Sequence, residues 1–138
     1  MSVAEPDESS TAEEVLLEAC KRLGYPPVPI TGLPATFPIR GHLSNGRVHY
    51  LASLSSPERC RVLAHEMAHL WFPNDEPMAE ITAFEMLEAL DVYTEEWFPA
   101  HMQREGWREM ASRREALDPG MRRTVTDTAR QILGMPNS

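Results

Sequence analysis

Apolar positions recur every three or four residues along most of this chain, and every two in one short stretch. Val15, Leu16, Ala19, Cys20 and Leu23 have helical spacing. Ser10 and Glu13 form a capping-box pattern at the start of that run, and Gly24 is a natural stop. Residues 1–9 are acidic and polar and read as a disordered tail, leaving one domain over residues 10–138. "YPPVPITGLPATFP", residues 25–38, holds five prolines, which forbid a helix or a central strand and predict an ordered loop. The period-two stretch is "IRGHLSNGRVHYLAS", a β-hairpin turning at Asn45-Gly46. Val48, Tyr50 and Ala52 share one face of its second strand, and His49 and Leu51 the other.

Helical spacing then returns. Ser56 and Pro57 provide a cap and a first turn for a helix of roughly four turns, stopped by Pro73. Residues 73–76 make a tight turn. A second helix starts near Pro77, with Met78, Ile81, Phe84, Leu87 and Leu90 at every third position. Amphipathic helices are predicted at about 99–117 and 119–133, with Asp118-Pro119 as cap and first residue of the latter. The expected class is α+β: an N-terminal helix, a small antiparallel hairpin or sheet, two packed helices, and a helical C-terminal extension over about 99–138.

Composition adds limits. A net charge of -8 disfavours binding to a phosphate backbone, so no direct nucleic-acid contact is expected. No apolar run is long enough to span a bilayer, the first residues are unlike a signal peptide, and two cysteines without metal-type spacing read as reduced thiols. The expected location is cytoplasmic. Residues 75–96 carry eight acids and no base, while residues 104–130 carry seven arginines. The simpler reading is that these helices offset one another, and the alternative is that the arginines form a partner surface.

The chemistry sits in "VLAHEMAHLWF", residues 62–72. His65 and His69 lie four apart and so share one helix face, where two imidazoles can hold one Zn²⁺. Glu66 is rotated about 100° from His65, beside the ion, where it can accept a proton from a zinc-bound water. This is the arrangement for amide hydrolysis. The hairpin's outer strand could lie along an extended peptide. The competing reading is a pair of ordinary helix histidines.

A catalytic zinc needs a third protein ligand. Glu80 ranks first, because positions symmetric about a turn near residues 74–75 face each other and it shares the inward face with Phe84 and Leu87. Glu88 is second: its distance of nineteen residues from His69 resembles the spacing in aminopeptidase-N-type zincins. Glu76 is third, with a helix N-terminal charge as its simpler role. His42 and His49 are read as solvent-facing or cleft-rim residues. His101 is a lesser candidate for stabilising an oxyanion, as are Tyr50 and Tyr93. Trp71, Trp97 and Trp107 are read as core.

"SSPERCRVLAHEMAHLWF" followed by "AEITAFEML" resembles the ImmA/IrrE-type metallopeptidases, as does the lead "AEEVLLEACKRLGYPPVPI". The resemblance covers roughly residues 11–90. It implies a minimal zincin-like, gluzincin-type domain with His65, His69 and Glu80 as zinc ligands and Glu66 as catalytic base. It also implies an intracellular protease acting on a protein partner such as a DNA-binding repressor. The chain departs from the group in a short linker between His69 and Glu80, in Ile81 and Thr82 after the glutamate, and in the late Pro99. Two other functions compete: a non-enzymatic zinc-binding regulator acting through its C-terminal helices, and a metal-free helical interaction module.

Overall fold

Five helices and three strands follow one another along the residues described by the computed structural model, 8–92 and 103–136. They are α1 (Glu8–Arg22), β1 (Pro27–Ile30), β2 (Gly41–Ser44), β3 (Arg47–Leu51), α2 (Ser56–Ala68), α3 (Glu76–Ala89), α4 (Gln103–Ala116) and α5 (Pro119–Leu133). The class is α+β, as the hydrophobic pattern predicts. Tyr93, Trp97, Pro99 and His101 lie outside the described residues, as does the predicted start of the fourth helix.

The hairpin forms as expected. Asn45 and Gly46 take φ of 53° and 69°, and Ser44 pairs with Arg47 across the turn. The sheet is not purely antiparallel, however. Its order is β1-β3-β2, and β1 runs parallel to β3. This proline-rich stretch was expected to be loop. It becomes an edge strand because of parity. The Pro26 and Ile30 carbonyls accept from the Val48 and Ala52 amides, so residues 26, 28 and 30 turn their backbone groups toward β3. Pro27 and Pro29 then face the open edge, where a missing N–H costs no ladder bond.

Helix ends follow capping chemistry, with two shifts from expectation. Helix α1 opens at Glu8, so Ser10 lies inside it rather than capping it. Glu13, the supposed capping partner, instead takes Arg59 and the Ser56 hydroxyl of α2. Ser55, not Ser56, holds the extended cap position of α2. Asp75 caps α3 by accepting from the Met78 amide at 3.2 Å. Asp118 does the same for Met121 at 2.9 Å, and Gly134 ends α5 at φ +73°.

Helix α3 lies at the centre. Met78, Ala79, Ile81, Thr82, Ala83, Phe84, Met86 and Leu87 are all buried, so apolar neighbours surround most of its circumference. On one side it meets α2 through Leu63, Met67, Ala83 and Met86, in a core shared with Leu16 and Cys20 of α1 and Ile132 of α5. Elsewhere Ile81 and Phe84 pack with Met110 of α4 and Val125 of α5. Trp71 packs against the larger core, as expected. One arginine of the basic segment pairs with the acidic one. Arg114 of α4 meets Glu85 at 2.7 Å and Glu88 at 2.6 Å, and lies 5.0 Å above the Phe84 ring. No helix among the described residues is long and apolar enough to cross a membrane.

Candidate metal centre

Helix α2 ends at Ala68, and His69 is its C-cap. The chain then turns through residues 70–75 and re-enters a helix at Glu76, so the end of α2 faces the start of α3. Three side chains converge there. Nε2 of His65 and Nε2 of His69 are 3.1 Å apart. Glu76 reaches both, with one carboxylate oxygen 3.0 Å from His65 Nε2 and the other 2.9 Å from His69 Nε2. These three residues form the group among the described residues with the ligand types and spacing to hold a metal ion.

The donors fit Zn²⁺. Two imidazoles and a carboxylate are a known catalytic zinc set. Ligands at about 2.0–2.2 Å from one ion at tetrahedral angles stand roughly 3.3–3.5 Å apart. The observed edges are a few tenths of an ångström shorter, a difference small side-chain shifts remove. Two nitrogen lone pairs and a carboxylate this close also repel unless a cation or protons lie between them.

The outer nitrogens orient the rings. Nδ1 of His69 is 3.0 Å from the Phe72 carbonyl. A carbonyl only accepts, so Nδ1 carries the hydrogen and Nε2 presents its lone pair. Nδ1 of His65 is buried, with Glu80 Oε1 3.2 Å away. That carboxylate favours the same tautomer, again leaving Nε2 for a metal.

The order expected among the three glutamates is therefore not the order of their distances. Glu80, ranked first as a ligand, lies at the far nitrogen of His65. Glu76, ranked third, lies at the converging nitrogens. Glu88 is paired with Arg114, far along α3.

Electrostatics follow from burial and neighbours. Burial pushes the Glu66 carboxyl above its ordinary range, and the charges of His65 and His69 only partly offset this. Burial would lower His65, but Glu80 beside it and the charges of Glu76 and Glu66 outweigh that and raise its pKa. Burial would raise Glu80, but His65, Arg61 and Arg113 hold it low.

Gly41 is a contributor the motif does not reveal. A Cβ on Gly41 would overlap Val62 Cγ1, stand 2.9 Å from the His49 carbonyl oxygen, and lie 3.6 Å from Glu66 Cγ. The missing side chain lets β2 lie directly against α2 beside Glu66. An isolated glycine in a strand is the sequence signal for such an approach. Tyr50 lies elsewhere, packed on the core near Glu13 and Arg59. Compared with known proteins, the chain matches no family model, no curated protein and no solved structure.

Proposed function

We propose that this protein is a zinc-dependent metallopeptidase that hydrolyses a peptide bond in a protein or peptide partner, in the cytoplasm. The observation that carries the reading is the convergence of His65 Nε2, His69 Nε2 and the Glu76 carboxylate within 2.9–3.1 Å, with Glu66 next to His65 in the chain. In this reading Glu76 is the third ligand and Glu80 is the outer partner that fixes the His65 ring.

When bound, Zn²⁺ supplies a Lewis acid and a water of near-neutral pKa. His65, His69 and Glu76 would hold the ion as its three protein ligands. Glu66 takes one proton from the attacking water and delivers it to the leaving amine as the C–N bond breaks. Its raised pKa suits both halves of that transfer, since a carboxyl nearer neutrality gives a proton back more readily. An intracellular DNA-binding repressor is the partner suggested by the resemblance to ImmA/IrrE-type enzymes.

Cleavage of an unfolded protein such as casein, with zinc measured per chain, tests the reading with wild type and Glu66→Gln. Wild type should carry about one zinc and cleave. Glu66→Gln should keep zinc and lose activity by about 10²–10⁴-fold, the range for a general acid–base group. Cleavage that survives both this substitution and a chelator would overturn the mechanism. Zinc binding without cleavage of casein or any repressor tried would move the protein to the class of zinc-binding regulators.

A further inference from the structure

The outer face of the hairpin carries two histidines that the metal centre does not use. His42 on β2 and His49 on β3 are directly opposed. Their rings stack, with centroids 4.4 Å apart and planes 9° from parallel. The register that pairs them is fixed from two directions. The Asn45-Gly46 turn sets the ladder at Ser44 and Arg47. The adjacent pair, Leu43 and Val48, belongs to the core, so the pleat turns His42 and His49 to the opposite face. His42 is exposed there and His49 half-buried.

Imidazole nitrogen selects zinc, nickel and copper over oxygen-seeking ions. We propose that His42 and His49 form a second metal site, a two-imidazole chelate for a divalent transition ion, separate from the His65–His69–Glu76 centre. The half-buried His49 is the fixed arm. The exposed His42 turns about its side-chain bonds to bring its nitrogen onto the same ion, and water completes the coordination. Mg²⁺ and Ca²⁺, which require oxygen ligands, are excluded. The site lies partly on β2, the strand whose Gly41 packs beside Glu66.

The test is equilibrium dialysis of the whole protein against buffered free Zn²⁺, with zinc per chain read by elemental analysis. The comparison is wild type, His42→Gln, His49→Gln, and a variant with both His65→Gln and His69→Gln. Wild type should bind in two steps. Either hairpin substitution should weaken the second step by at least about tenfold, because a chelate becomes a single ligand. The double variant should keep that step, and excess Mg²⁺ should not compete. Should a hairpin variant fail to fold, Ni²⁺ added to zinc-loaded wild type decides instead, by broadening the ring signals of His42 and His49 in NMR. An unchanged second step in both variants, or ring signals that Ni²⁺ leaves untouched, would overturn the proposal. A single step that survives in the double variant and is lost in His42→Gln would keep it and overturn the metallopeptidase reading instead.

Discussion

Glu76 and Glu80, one turn apart on α3, meet opposite nitrogens of the same imidazole: Glu76 lies 3.0 Å from Nε2 of His65 and Glu80 3.2 Å from Nδ1. Their roles therefore divide. Glu76 also reaches His69 and can close a three-ligand set, whereas Glu80 touches the ring from behind and can only orient it.

That division predicts two different losses. Glu76→Ala should leave well under one zinc per chain after dialysis. Glu80→Ala should still take up about one zinc, with affinity weakened by about 10–100-fold, as for other carboxylates behind a ligating histidine. Chelator competition measures both. Stoichiometric zinc in Glu76→Ala together with none in Glu80→Ala would reverse the assignment.

The distance between the two glutamates also explains what was legible in the sequence. The H-E-x-x-H helix, the hairpin and the last helix were readable, because each rests on local chemistry: Pro57 in the first turn of α2, Asn45-Gly46, and Asp118-Pro119. Which glutamate comes level with His69 depends on where α2 ends. A helix running to residue 72 sets His69 level with Glu80. The observed helix stops at Ala68, four residues or about one turn earlier, and the level position moves back one turn to Glu76. The strand β1 was hidden for a related reason. Proline forbids a central strand, but which side of a strand its nitrogen faces is set by pairing with β3, a contact twenty-one residues away in the chain.

Glu88 serves a structural clasp. Arg114 and Glu85 are largely buried, with side-chain exposures of 18% and 20%, while Glu88 is 45% exposed. Removing Arg114 leaves the Glu85 carboxylate, among the described residues, with the Thr126 hydroxyl at 3.2 Å. Arg114→Ala should cost about 1–3 kcal/mol in denaturant unfolding. Glu88→Ala should cost under about 1 kcal/mol, as exposed pairs do, and leave zinc content unchanged. Zinc loss in Glu88→Ala would revive it as a ligand.

Gly41 is the position where the sheet and α2 touch without a side chain between them. Alanine there meets Val62, which can shift, and the His49 carbonyl, which belongs to the paired backbone and cannot. Gly41→Ala should destabilise the fold by about 1–3 kcal/mol through overpacking. Thermal melting measures this, and an unchanged melting temperature would mean that β2 does not approach α2 this closely.

The His65–Glu80 pair sets the pH dependence of the metal-free protein. His65 is raised above its ordinary value of 6.5, so its contribution to stability is complete below 6.5 and is lost as pH rises through the folded-state pKa. Glu80 is lowered below 4.5, so its contribution is present above 4.5 and is lost as pH falls through its folded-state value. The two overlap between about pH 4.5 and 6.5, where a charged histidine faces a charged carboxylate. After chelation, the melting temperature of wild type relative to Glu80→Gln should be greatest in that interval and the difference should shrink on either side. Zinc reverses the alkaline side, because the metal needs His65 neutral and protons compete with it. Zinc retention should therefore fall as the solution is acidified through the His65 titration. A wild-type advantage over Glu80→Gln that stays constant from pH 4 to 9 would show that the pair does not couple in the folded protein.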